Sequence, residues 1–212
     1  MRFQTIVAAL LAVVVSAQNV WADPFSDLTK SGRDACFRRS YDAAHLRKNP
    51  RQQTTSLVVW ITGDTDQSGT NVGLAAVRRG DPQALFISAA CEWEVYKGER
   101  RSWMELYKKK AGAGCVTLAV PDVFDSSSAE EGGGVLLDPA ADGKTLMVYL
   151  DEYQTMVKRA DRGRKISIMF GADDRIFLLR RIDAKECNFV KEALTAPEPG
   201  ARGTISAPGQ NR

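Results

Sequence analysis

The stretch TSLVVWIT, residues 55–62, decides the fold class. It is rich in β-branched and aromatic residues, it has polar ends, and it has the length of a strand rather than of a helix. Six further segments share this character. They are residues 72–77, 84–91, 115–120, 145–150, 166–170 and 176–182. The chain is therefore predicted to be mainly β.

The connections between these segments predict the order of the strands. TGDTDQSGTN (62–71), DPAADGKT (138–145) and GADDR (171–175) are dense in residues that tolerate turn dihedrals. Short connections make neighbouring strands antiparallel, which is typical of a β-sandwich or a partly open barrel. One or two short helices are expected beside the strands. Residues 41–48 form the clearest candidate, with Ser40 as its cap, and 99–110 and 153–159 are weaker ones.

The two ends of the chain differ from its middle. Residues 1–22 have a basic start, an apolar run and small residues before a cut, the layout of a secretory signal peptide. The cut is placed after Ala22, with Ala17 as the competing choice, and no transmembrane segment is expected after it. Residues 195–212 are rich in Pro, Gly and Ala and predict a disordered tail. A single domain, residues 23–194, remains between them.

The net charge is +3 at pH 7 for 212 residues. Proteins that bind nucleic acid present a strongly basic face, and a chain this close to neutral gives no reason to expect one.

The four cysteines, Cys36, Cys91, Cys115 and Cys187, predict disulfides in an exported protein. Four cysteines allow three pairings, and the sequence does not choose among them. We favour Cys91–Cys115, which links neighbouring strands, and Cys36–Cys187, which ties the start of the domain to its end. The sequence has no C-x-x-C motif and no closely spaced cysteine ligands, so it predicts neither a redox site nor a zinc site.

His45 is the only histidine of the chain, one helical turn after Tyr41 and Asp42. Asp42 could orient the imidazole of a general base, but it also suits the first turn of a helix. No G-x-S-x-G motif supplies a nucleophile, and Cys36 is expected to be oxidised. We therefore interpret His45 as a surface or packing residue, and no catalytic residue is assigned.

The acidic residues give no clearer site. The loop DTDQSG, residues 64–69, matches the start of a calcium-binding loop, but Ala75 stands where a glutamate is needed and the flanks predict strands. Glycoside hydrolysis needs two carboxylates across a cleft, and the sequence does not show which acidic residues meet. The candidate pairs are Glu92 with Glu94, Asp151 with Glu152, and Asp173 with Asp174. Neither a metal nor a cofactor is predicted.

Aromatic and cationic residues are crowded between Cys91 and Cys115. Protein interfaces are enriched in aromatic residues and arginine, so this segment predicts a surface that binds an envelope protein or an anionic polymer. The alternative is that Lys and Arg protect sheet edges from pairing with other chains. The candidate contact residues are Trp93, Tyr96, Arg100, Arg101, Trp103 and Tyr107.

CFRRSYDAAHLRKNPRQQ (36–53) and GADDRIFLLRRIDAKEC (171–187) resemble a set of exported Gram-negative bacterial proteins to which no activity is assigned. The resemblance covers most of the chain and implies no reaction. In general shape the chain is also similar to periplasmic lysozyme inhibitors, which are small, exported, β-rich and disulfide-tied. We expect a periplasmic or secreted, non-catalytic binding or structural module. The alternatives are a hydrolase of envelope polymers and an inhibitor of an envelope-degrading enzyme.

Overall fold

The computed structural model describes residues 23–30, 32–63, 70–95, 107–118, 131–158 and 164–195. The predicted signal peptide and residues 196–212 of the predicted tail lie outside these ranges. The helices are α1 (Pro24–Asp27), α2 (Ala43–Lys48) and α3 (Asn188–Thr195). Across the described ranges, no helix is long and apolar enough to cross a membrane. The strands are β1 (Ala35–Ser40), β2 (Thr54–Ile61), β3 (Thr70–Arg78), β4 (Asp81–Val95), β5 (Ala111–Leu118), β6 (Glu131–Pro139), β7 (Thr145–Leu150), β8 (Tyr153–Lys158), β9 (Arg164–Met169) and β10 (Ile176–Ile182).

All seven predicted strands are present, which confirms the mainly β, antiparallel fold with short helices. Three strands were missed. β1 and β6 were not predicted, and the helix predicted over 153–159 is wrong, because β8 occupies that segment. The helix predicted over 99–110 lies mostly outside the described residues.

The strands close into a barrel. Eight of them follow one another in the ring β3-β2-β1-β10-β7-β6-β5-β4, and pairing of β3 with β4 completes it. The expectation of a sandwich or a partly open barrel is therefore wrong in its finer part. Two pairings close the ring: β1 pairs with β10, the first described strand with the last, and β3 pairs with β4. Closure leaves no free edge within the ring.

Side chains alternate between the inside and the outside of the barrel. On β10, Phe177 and Leu179 are buried in the interior, whereas Ile176, Leu178 and Arg180 are exposed. This alternation follows from the two-residue period of a strand. The interior is one continuous apolar core that draws side chains from all eight strands.

Both ends of the barrel are filled. At one end, the hairpin β8–β9 contributes Met156 and Ile168 to the core and pairs with the start of β4 through Phe86 and Val157. At the other end, Phe25 of α1 and the following Leu28 are buried in the same core. The chain that follows the predicted signal peptide therefore packs as part of the domain.

Helix α3 packs on the outside of the barrel against β2, β3 and β4, over a second, smaller apolar cluster. Val190 and Leu194 of the helix meet Trp60 there. A Cβ atom at Gly73 would lie 2.5 Å from Leu194 Cδ1, so only glycine permits this close approach. Asp34 holds the same region, because it accepts hydrogen bonds from Trp60 Nε1, Gly63 N and Lys191 Nζ.

Two disulfides, Cys36–Cys187 and Cys91–Cys115, confirm the favoured pairing. The first joins β1 to the segment that leads into α3. The second joins directly opposite residues of β4 and β5. Disulfides persist in non-reducing compartments, so the pair indicates a location outside the cytoplasm.

Helix α2 confirms the short helix near His45 but not its cap. The helix begins at Ala43, and Asp42 is the capping residue, since its Oδ1 accepts a hydrogen bond from His45 N. Ser40 belongs to β1 instead, where its hydroxyl lies 3.2 Å from that of Ser56. Asp42 thus caps the N-terminus of the helix, a position that Asp favours.

Candidate functional site

His45 lies among amides and an aromatic ring. Its Nε2 is 3.0 Å from Gln52 Oε1 and 3.3 Å from Asn49 Nδ2, and its ring stacks on Tyr41 at 4.5 Å between centroids. A general base is oriented by a carboxylate or carbonyl and reaches a nucleophile. Asp42 is engaged as the helix cap, so this environment is that of a packing residue.

Three residues of the candidate acidic pairs, Asp174, Asp173 and Glu152, have structural partners. Asp174 is buried, and its two oxygens accept the backbone N–H groups of Gln53 and Thr54, each at 2.7 Å. Asp173 pairs with Arg51, and Glu152 pairs with Arg175. Within the part of the chain that the structure describes, no group of three or more His, Cys, Asp or Glu residues could hold a metal ion. Residues 64–69, the calcium-like loop, lie outside that part, and strands flank them.

The barrel interior is filled rather than hollow. Beneath the β8–β9 hairpin lies a cavity of about 10 Å³, lined by apolar side chains and by Gln154. A volume of this size holds about one water molecule. Gln154 is buried, and its amide donates to Gly134 O at 2.8 Å. The interior of an eight-stranded barrel is just wide enough for side chains to fill, as they do here.

Two of the six residues of the predicted contact surface are described, and they lie on different sides of the barrel wall. Trp93 packs against the interior core next to the Cys91–Cys115 disulfide. Tyr107 lies on the outer wall, where its ring is tilted over Tyr149 at 4.6 Å. The other four, Tyr96, Arg100, Arg101 and Trp103, lie outside the described residues, so the surface as a whole stays a prediction.

Exposed apolar residues extend from Tyr107 across the outer wall. Ile176 and Leu178 of β10 are 50% and 47% exposed. In the sheet register they stand beside Tyr149 and Met147 of β7. Met147 is half-buried, and Tyr149 is buried, with Tyr107 and Lys109 against its ring. The β7–β10 face is defined here as the outward side of Ile176, Leu178, Tyr149 and Met147, with Asp151 and Arg180 at its two ends. Large exposed apolar groups that adjoin one another mark contact surfaces more often than isolated ones do.

Tyr107 and Lys109 hold the edge of the β7–β10 face. Tyr107 donates its hydroxyl proton to Leu150 O at 2.9 Å, and burial raises the pKa of this phenol. Lys109 lies 5.2 Å from the centre of the Tyr149 ring and pairs with Asp138 at 2.6 Å. Burial lowers the pKa of Lys109, but the hydrogen bond to Asp138 outweighs this effect and raises it overall.

Asp151 is a half-buried carboxylate at one end of the face. A Cβ atom at Gly134 would lie 2.5 Å from Asp151 Oδ2, so the carboxylate occupies the space that a side chain would fill. Burial raises the pKa of Asp151, and the Gly134 backbone and the charge of Arg175 oppose that shift only in part. The ionised form of Asp151 therefore destabilises the folded state.

The sequence analysis missed four residues of this face, Met147, Tyr149, Ile176 and Leu178. A signal for two of them exists in IFLLRRI, residues 176–182. Strict alternation with the buried Phe177 puts Ile176 and Leu178 on the solvent side, where polar residues are usual. Tyr149 and Met147 gave no such signal, because only the register with β10 shows that they adjoin this pair.

Comparison with protein-family models, with curated proteins and with solved structures finds no match to this chain. The functional argument therefore rests on the outer wall of the barrel and on its chemistry.

Proposed function

We propose that the protein is an exported, non-catalytic module of the cell envelope that acts by protein–protein contact through its β7–β10 face. The observation that supports this proposal is the exposure of Ile176 and Leu178 beside Tyr149 and Tyr107. Burying such side chains stabilises a complex by about 25 cal/mol for each Å² removed from water. Tyrosine also favours interfaces because it combines apolar area with a hydrogen-bonding end.

Tyr107 is the last of the six predicted contact residues in chain order, and it lies at the edge of this face. The chain between β4 and β5 returns to the described residues at Tyr107, which lies directly against Tyr149. A standard interface buries about 800 Å² per partner, more than the face alone offers. We therefore expect the contact to include residues from the segment that holds Trp103 and Arg100.

Export is supported by the two disulfides and by the signal-like layout of residues 1–22. Both support the proposal of a periplasmic or secreted location. The described residues favour binding over hydrolysis. His45 is surrounded by amides, and Asp173, Asp174 and Glu152 are bound to partners that hold loops in place. An inhibitor of an envelope-degrading enzyme is one form of this function, and it would form a tight one-to-one complex without turnover.

Cross-linking in cells tests the proposal. The tagged protein and its Leu178→Glu variant are expressed, cross-linked and purified from the envelope fraction, and the attached proteins are identified by mass spectrometry. Met169→Glu is the matched control, because Met169 is 69% exposed and lies on β9, which is not a strand of the β7–β10 face. We expect Leu178→Glu to lose a cross-linked partner that Met169→Glu retains. Equal cross-linking by both variants would contradict the proposal.

A further inference from the structure

The end of the β7–β10 face nearest the β8–β9 hairpin is negative. Asp151 lies here, and Arg175, which acts on its charge, pairs with Glu152 at 3.4 Å. Two carboxylates and one guanidinium give this end a net charge of −1.

The opposite end of the face is positive. Arg180 is exposed and stands beside Arg38 of β1 in the sheet register. Arg38 pairs with Glu186 at 2.6 Å, and Arg181 donates to the backbone carbonyls of Leu28 and Gly143. Arg181 lies on the inward side of β10, so Arg38 and Arg180 with Glu186 give this end of the outer face a net charge of +1. Arg180 has no carboxylate partner among the described residues.

These two ends are separated by an apolar centre. Arg180 is opposite Thr145 in the register, six positions before Asp151. At a rise of about 3.3 Å per residue, the separation along the strands is about 20 Å. Ile176 and Leu178 are the exposed apolar side chains of this interval, whereas Met147 is half-buried and Tyr149 is buried.

We propose that the β7–β10 face binds a second copy of the same chain. A two-fold axis in the plane of the contact, running across the strands, turns the negative end of one copy onto the positive end of the other. Each Asp151 then faces Arg180 of the other copy, and each Ile176 meets Leu178 of the other copy. A two-fold contact must be self-complementary, and a face with one negative end and one positive end meets this requirement. The inference rests on the proposed function, because it names a partner for the same face.

The size of the face sets the strength of the contact. About 20 Å along the strands and about 15 Å across them give about 300 Å² per copy. Standard interfaces bury about 800 Å² per partner. The dimer is therefore weak and reversible.

Sedimentation of the chain without residues 1–22, measured over a range of concentrations, tests the inference. Arg180→Glu is expected to weaken the dimer, because it sets like charges against each other at both ends. One exposed ion pair contributes about two- to fivefold in affinity, and the dimer holds it twice, so the loss is at least about fourfold. Arg47→Glu makes the same charge change on the exposed side of α2 and should leave the dimer unchanged.

Mixing two variants gives the decisive result. Arg180→Glu and Asp151→Lys should each associate poorly alone but restore the dimer when mixed, because unlike charges meet at both ends of the mixed pair. Glu152→Lys replaces Asp151→Lys if the latter fails to fold, since the Glu152 side chain is 61% exposed. A monomeric wild-type chain, or a mixture that does not associate, overturns the inference.

The two proposals fail separately. If the wild-type chain is monomeric but Leu178→Glu still loses a cross-linked envelope partner, the second copy is not the partner. The proposed contact face then remains supported. If the mixed variants restore the dimer but Leu178→Glu leaves the cross-links in cells unchanged, the proposed function is overturned instead.

Discussion

The two disulfides should contribute unequally to stability, and the difference can be worked out from the loops that they close. Cys36–Cys187 spans a sequence separation of 151, whereas Cys91–Cys115 spans 24. A cross-link restricts the unfolded chain more when its loop is longer. The chain-entropy relation gives about 5.1 kcal/mol for the long loop and about 3.4 kcal/mol for the short one.

The experiment compares two double variants, Cys36→Ala/Cys187→Ala and Cys91→Ala/Cys115→Ala. All four cysteines are buried, at 0–6% exposure, so the packing lost on truncation is similar and the difference isolates loop length. Alanine is chosen because serine would bury a hydroxyl group without a partner. Urea unfolding at neutral pH, analysed by linear extrapolation, gives the free energy of unfolding of each variant.

We expect the Cys36→Ala/Cys187→Ala variant to be the less stable one by about 1.6 kcal/mol, since the two loops differ by nearly three doublings of length. It should also release α3, which follows Cys187 directly, and so raise amide exchange over residues 188–195. Equal loss of stability in both variants, or a larger loss in the short-loop variant, would refute the entropic reasoning.

Three further substitutions test the packing and the charges of the domain. Asp151→Asn should raise the free energy of unfolding at pH 7 and leave it unchanged in acid; burial raises the pKa of this carboxyl, so its contribution is present at low pH and is lost as pH rises. Asp34→Asn should lower the free energy of unfolding at neutral pH and leave it unchanged in acid. Burial raises the pKa of Asp34, but the hydrogen bonds from Gly63, Trp60 and Lys191 bring it below its usual value. The stability that Asp34 contributes is therefore lost as pH falls, which urea unfolding at neutral and at acid pH will show. Gly73→Ala should cost about 1–3 kcal/mol through its clash with Leu194, whereas Gly171→Ala, which meets nothing within 4 Å, should stay within about 0.5 kcal/mol in the same assay.

Strands with a clear apolar pattern could be predicted from the sequence. Residues 145–150 and 176–182 match β7 and β10 at both ends. β1, ACFRRS, was missed because Cys36 is buried on its outward side and Arg39 occupies an inward position, so the two-residue period is hidden. β6 was missed because its first residue is followed by three glycines, and Gly133 has φ of +117°, a conformation that side chains disfavour.

Closure of the barrel could not be predicted, because it depends on pairings between distant segments. β1 pairs with β10 across more than a hundred residues, and no local pattern marks that contact. β8 shows no clear strand pattern in the sequence, because Gln154, a polar residue, is buried on it. Of the candidate site, Tyr107 was identified from its aromatic and cationic neighbours. The rest of the β7–β10 face depends on the register between two strands.

Photo-cross-linking in cells is the most direct test of the central claim that the β7–β10 face is the contact surface. A photoreactive amino acid is placed at Leu178 in one variant and at Met169 in the other, and both are irradiated in intact cells. The account predicts a discrete cross-linked protein from position 178, either a second copy of the chain or another envelope protein, and none from position 169. No product from position 178, or the same products from both positions, would contradict it.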